Sequence, residues 1–281
     1  MTSAACLLSL PVCTACFGAE WWLETAPGRR YNGEKETTCI RKRKEPTMCT
    51  RFVHRGGSVL TGFNFDIDLA VWDHRLVLEP DRFGIGILRP DGLRHIYHGV
   101  HRNGNAGTLL YVHGSAAGAF REGGGCMTVA DLTERFVQGR LSFDEALHIV
   151  GTRPIVYAPD ATMQAVLSDR RGRTLIVEPG RGWRLDRGSF SLMTNYSLLD
   201  PESTRPFVVP GDDRLERAGP MLRSFGGRLT VADAFAVLRA VRQEGPWATR
   251  VSFVYAADEN AVYYAQDNDF AHIQKHRFAA P

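Results

Sequence analysis

Lysine is scarce in this chain. Of 34 basic residues in 281, only Lys35, Lys42, Lys44 and Lys275 are lysines. A long apolar run is missing as well, which excludes an ordinary membrane-spanning helix. Strong net charge is absent: the balance is +3, too small for a nucleic-acid footprint. Hydrophobic residues at 44% and charged residues at 23% exclude a disordered, collagen-like or coiled-coil chain. What remains is a globular protein long enough to bury a core without help from disulfides or metals.

The scarcities are uneven along the chain. Three of the four lysines and four of the six cysteines (Cys6, Cys13, Cys16, Cys39) precede residue 48. Residues 1–19 carry no charge, and Pro11 interrupts their mild apolar stretch. A secretory signal would begin with positive charge, which is lacking here. Residues 20–48 are polar, and their basic run Arg41-Lys42-Arg43-Lys44 reads as a solvated segment. Residues 1–48 are therefore a leader of different composition. Residues 49–281 form one near-neutral, arginine-rich domain.

Regular patterning starts at residue 49. Strand-like runs cover 51–55 and 58–65, joined at Gly56-Gly57 as a hairpin, then 74–79, 83–88 and 93–98. Thr128 caps a helix to about Gln138, and Ser142 with Glu145 forms a capping box for another to about Val150. Strands follow at 154–157, 163–168, 173–178 and 189–194, helices at 212–224 and 230–243, and strands at 250–256 and 261–266. The order strands, helices, strands, helices, strands predicts an α+β fold of layered sheets covered by helices.

Most motifs that could carry chemistry are weak. Cys13-x-x-Cys16 is half a zinc spacing with no second pair. His95, His98 and His101 recur every third residue, which on a strand turns His98 away from the other two. Gly123-Gly124-Gly125 lacks the Lys-Ser/Thr of a phosphate loop, and Gly114-Ser115-Ala116-Ala117-Gly118 misses a nucleophile elbow by one residue. No metal or cofactor is expected.

Cys49 differs, because it follows Met48 where the composition changes and opens the first strand. Translation from Met48, or removal of the leader, would make it the N-terminal residue. Its α-amine, titrating near roughly 7.7–8.0, would then serve as base for its own thiol. A buried cysteine at a strand edge is the competing reading.

From Cys49 onward the chain resembles the linear amide C–N hydrolases of the N-terminal nucleophile superfamily, among them choloylglycine hydrolases and penicillin V acylases. Cys49-Thr50 and Gly62-Phe63-Asn64-Phe65-Asp66 carry the start of the resemblance. Gly99-Val100-His101-Arg102-Asn103-Gly104, Leu109-Leu110-Tyr111, Ser168-Asp169-Arg170-Arg171-Gly172-Arg173 and Ile176-Val177-Glu178 continue it. Met193-Thr194-Asn195 and Pro210-Gly211-Asp212 with Arg217 complete it. Two departures stand out: Phe63 fills a position where the family often has arginine, and His101 replaces a frequent asparagine.

The resemblance implies a four-layer αββα sandwich without cofactor or metal. It makes Cys49 the nucleophile and Asp66 the holder of its amine. Asn195 and a backbone N–H near Tyr111 become oxyanion donors, and Arg217 a cation close to the sulfur. The expected substrate is a small N-acyl amide with a hydrophobic acyl group, suited by Phe63, Phe65, Tyr111 and Tyr196. No nucleic-acid partner is expected; a homo-oligomer is allowed by the resemblance. A start at Met48, with a cytoplasmic protein, is the preferred reading of the leader, and a self-cleaved propeptide or an exported protein the second. Signal-peptidase cleavage does not fit Pro46 and Met48 at the −3 and −1 sites. An acyltransferase and a non-catalytic binding protein are the alternatives on the same fold.

Overall fold

A computed structural model describes residues 49–279. The expectations for the leader, including Cys13, Cys16 and Cys39, lie outside the described residues. Strands β1 (Thr50–Arg55), β2 (Val59–Asp66), β3 (His74–Glu79), β4 (Arg82–Leu88), β5 (Arg94–His101) and β6 (Ala106–Tyr111) come first. After β7 (Met127–Thr128) come helices α1 (Val129–Val137) and α2 (Phe143–Thr152). Then follow β8 (Ile155–Val156), β9 (Met163–Ser168), β10 (Thr174–Glu178), β11 (Gly182–Asp186) and β12 (Phe190–Met193). Helices α3 (Pro201–Thr204), α4 (Arg214–Ser224) and α5 (Val231–Ala240) precede β13 (Thr249–Ala256), β14 (Ala261–Gln266) and β15 (Gln274–Arg277).

Two antiparallel sheets face each other. One has the order β12-β1-β2-β13-β14-β15, the other β11-β10-β9-β6-β5-β4-β3. The core between them is built from inward residues of both, such as Phe63, Phe253, Phe83, Leu109 and Val166. Helices α4 and α5 cover the outside of the first sheet through Ala218, Leu222, Phe235 and Leu238, which meet Phe52, Leu60 and Val254. Helix α1 packs on β5, β6 and β9 of the second. This is the expected αββα layering. Burying each large apolar side chain contributes about 1.5–3 kcal/mol.

Local chemistry sets the helix starts. Thr128 accepts the Asp131 N–H, and reciprocal capping boxes open α2 (Ser142, Glu145) and α5 (Thr230, Asp233). In the first hairpin Phe52 lies opposite Gly62, and a Cβ there would fall 2.2 Å from the Phe52 ring. Only glycine lets that ring cross β2 on its way to α4 and α5.

The abundance of arginine over lysine has a visible use. Arg55 donates to Gly172 O, Gly188 O, Thr174 Oγ1, Asp186 O and Ser191 Oγ, tying β1 to β10, β11 and β12. A guanidinium can satisfy that many acceptors in fixed directions; an ammonium cannot. Arg51 also crosses between the sheets, donating to Ser168 Oγ at 2.9 Å, and burial lowers its pKa to about 9.

Candidate active site

Four elements converge at one end of the sandwich. Cys49 immediately precedes β1, Asp66 ends β2, Asn195 follows β12, and Arg214 opens α4. All four are buried. The Cys49 backbone N–H donates to Asn195 Oδ1 at 2.9 Å, and its sulfur lies 3.9 Å from the Asp66 carbonyl oxygen. Asn195 Nδ2 donates to the Tyr111 carbonyl at 2.9 Å, so the amide bridges the two sheets.

Arg214 organises the other side. Its Nη1 donates to the Cys49 carbonyl at 2.7 Å, and both terminal nitrogens reach Asn195 Oδ1 at 3.2 Å. Nε and Nη2 form a two-pronged pair with Asp212 at 2.7 and 2.6 Å. Asp212 also accepts from the Tyr196 hydroxyl at 2.7 Å, which in turn accepts the Val209 N–H. Burial works against the Asp212 carboxylate, but Arg214 and Tyr196 outweigh it and hold its pKa below the usual range.

Arg217 is not at the sulfur. Its side chain is 53% exposed against 1% for Arg214. It pairs with Asp213 across one helical turn and donates to Ala240 O. Helical geometry explains the correction. Arg214, Ala218 and Leu222 are spaced by four and form the buried stripe of α4, and Arg217 lies off that stripe.

The remaining expected residues divide. Tyr196 enters the network through Asp212. At Tyr111 it is the carbonyl that faces Asn195, and the next N–H, of Val112, is bonded to Thr162 O. Phe63 and Phe65 belong to the core between the sheets rather than to an exposed wall. Phe63 stacks on His98 with ring centroids 5.2 Å apart, and Phe65 lies 5.1 Å from the same ring. Burial, reinforced by Arg89, lowers the His98 pKa to about 3, so the ring is neutral and accepts the Leu109 N–H on Nδ1. His95 instead bridges Asp91 and Glu134, and His101 faces Asp81. The three histidines therefore share no common centre.

Asp66 is the electrostatic anomaly. Burial pushes its pKa up to about 8 against the opposing pull of Arg214 and a hydrogen bond from Thr249. Oδ1 accepts the Thr249 hydroxyl at 2.6 Å, and Oδ2 has no partner among the described residues. Burial, and then the charge of Asp66, pushes the Cys49 thiol well above its usual range, with Arg214 pulling the other way. Thr249, Glu178 and Gln164 were not expected here. Glu178, fully buried, accepts from Ser197 Oγ and from the N–H groups of Leu198 and Leu199. Gln164 donates to the carbonyls of Thr194 and Tyr196. These two residues clamp the segment that carries Asn195. Of two surface hollows, the larger, about 660 Å³, contains none of the site residues; the smaller, about 390 Å³, has Asp212 in its wall.

No family model matches the chain, and neither does any curated protein. Solved structures do. Conjugated bile acid hydrolase from Clostridium perfringens superposes with a TM-score of 0.60 at 15% identity, over 81% of this chain and 91% of that one. Penicillin V acylase from Agrobacterium tumefaciens gives 0.55 at 19% identity, over 81% and 90%. The Caenorhabditis elegans ortholog of N-acylethanolamine-hydrolyzing acid amidase gives 0.51 at 14%, over 74% and 93%. The chain thus has the fold of the N-terminal nucleophile hydrolases. Within that fold, its likeness is to structures of the choloylglycine hydrolase group.

Proposed function

We propose that the protein is a cysteine N-terminal nucleophile hydrolase that cleaves linear amides, with Cys49 as the first residue of its active form. The supporting observation is the buried Asp66 oxygen without a donor among the described residues, on the residue whose carbonyl lies 3.9 Å from the Cys49 sulfur. An internal Cys49 has one backbone N–H, already given to Asn195. An N-terminal Cys49 has an ammonium with further donors, whose positive charge favours an ionised Asp66 able to receive one.

In that form the neutral amine takes the thiol proton, and the thiolate attacks the substrate carbonyl. The Asn195 amide has two N–H donors, one used on Tyr111; the other is available to the oxyanion. The ammonium returns its proton to the departing amine, leaving a thioester on Cys49. Water, deprotonated by the same amine, attacks the thioester, releasing the carboxylic acid and restoring the thiol. Arg214 fixes the Cys49 carbonyl and Asn195 throughout. A small N-acyl substrate with a hydrophobic acyl group suits the exposed Phe207 and Val208, on the segment between Tyr196 and Asp212. With Met48 as the start the protein is cytoplasmic. Among the described residues no helix is long and apolar enough to cross a membrane.

The test pairs intact-mass measurement with amine release from a panel of N-acyl amides. Activity is expected only from chains beginning at Cys49 and is expected to vanish in Cys49→Ala. Full activity from a chain that retains residues 1–48 refutes the proposal.

A further inference from the structure

Asp66 can serve the amine only if it is ionised and aimed, and burial opposes the first. Among the described residues its carboxylate has one hydrogen-bond donor, the Thr249 hydroxyl. That hydroxyl is itself oriented. Its oxygen accepts the Gln243 N–H at 2.8 Å, and the Thr249 N–H returns to the Gln243 carbonyl at 3.1 Å. With Gln243 donating to the oxygen, the hydroxyl proton is directed at Asp66. Thr249 sits where β13 is irregular: it pairs with Asp66, and the next register pair is Val251 with Phe65. A bulge of this kind re-aims a side chain. The other charged or titratable groups acting on Asp66 are Cys49 just before β1, Asp212 just before α4, and Arg214 at the start of α4.

We infer that Thr249, oriented by Gln243, is a positioning residue that favours the carboxylate form of Asp66 and leaves Oδ2 to the Cys49 amine. The inference rests on the reading of Cys49 as an N-terminal nucleophile. When the amine takes the thiol proton, a thiolate and an ammonium form together, and Asp66 supplies the ammonium's counter-charge. Without the Thr249 hydroxyl, Asp66 binds a proton at higher pH. The ammonium then loses its counter-charge, and the thiolate is lost with it.

The experiment uses the chain beginning at Cys49, verified by intact mass. Iodoacetamide is the probe: the sulfur bonds to its methylene carbon as iodide leaves, so the rate reads the thiolate. The rate is measured from about pH 4 to about pH 9, spanning the carboxylate and amine titrations. Thr249→Val, which keeps the β-branched shape, is expected to move the acid limb upward by on the order of one pH unit. Thr249→Ser keeps the hydroxyl and is expected to restore the wild-type limb. Melting temperatures establish that each variant is folded at the assay temperature, and Thr249→Ala replaces the valine variant if that one does not fold. A folded variant without the hydroxyl but with the wild-type acid limb overturns the inference. A wild-type chain carrying one extra residue before Cys49 separates the two ideas. If it keeps the pH profile, the amine is not the base and both readings fall. If it loses the profile while Thr249→Val does not move it, only the role of Thr249 falls.

Discussion

Replacing Arg214 by methionine is the sharpest structural test of the site. The substitution removes both hydrogen bonds to Asp212 and the bond to the Cys49 carbonyl, together with two longer contacts to Asn195. It leaves Asp212 buried, with the Tyr196 hydroxyl and the Arg214 backbone N–H as its remaining donors. Breaking a buried pair by removing one partner costs about 3–5 kcal/mol. Arg217→Ala removes an exposed pair, worth about 0.2–1 kcal/mol. Urea unfolding of the 49–281 chain measures both, and a double variant that also replaces Asp212 by leucine should recover much of the loss. The pH dependence adds a signed check. In the wild type, Asp212 has a depressed pKa, so its pairing contributes stability above its unfolded pKa, near roughly 3.9, and loses it as pH falls through the folded value. In Arg214→Met the unpaired carboxylate prefers its proton and has a raised pKa. The difference in stability between the two chains should therefore shrink as pH falls from about 7 to about 4. Equal losses from Arg214→Met and Arg217→Ala, or a gap that widens on acidification, refute this account.

Two further substitutions probe what surrounds the site. Glu178→Ala leaves Ser197 and two backbone N–H groups without their buried acceptor. It should lower stability by about 1–3 kcal/mol, and it should lower kcat for amide hydrolysis more than it alters KM, because Asn195 is displaced. His98→Phe keeps a ring stacked on Phe63 but removes a group that titrates in the unfolded chain and stays neutral when folded. The depressed His98 pKa makes wild-type stability fall as pH drops from about 6.5 toward about 3. His98→Phe should flatten that fall by a few kcal/mol in urea titrations at several pH values, at a cost of about 1 kcal/mol for the lost Leu109 bond.

The parts of the fold legible in the sequence are those set by local chemistry. Capping residues mark α1, α2 and α5 because the bonds they make span three residues. Strands β11 and β15 were not expected, for a physical reason. Gly-Trp-Arg-Leu-Asp and Gln-Lys-His-Arg are edge strands with exposed side chains, held by backbone pairing to β10 and β14. Such a strand needs no alternation in its own sequence. Arg217 was expected from the resemblance alone; Arg214, with Ala218 and Leu222 at a spacing of four, lies on the stripe of α4 that faces the sheet. Thr249 was beyond reach, being 183 residues from the carboxylate it meets. Nothing local distinguishes it from any other threonine at the start of a strand.

Phe63 has a physical setting in the core between the sheets. Phe63 stands on β2 between Phe253 and the neutral His98, in register with the buried Arg51 of β1. The Arg51 guanidinium is held by Ser168 Oγ and the Ala106 carbonyl of the facing sheet. The cation at the site comes from the outer layer, through Arg214 at the first turn of α4, with its counter-ion Asp212 on the same short segment. This places the positive charge at the Cys49 carbonyl and Asn195, where it fixes geometry. Burial makes Asp66 hard to ionise. A site built this way depends on a local positive charge arriving at Asp66. The amine of an N-terminal Cys49 is one that arises only when the chain begins there, which couples the chemistry of the site to the position of its first residue.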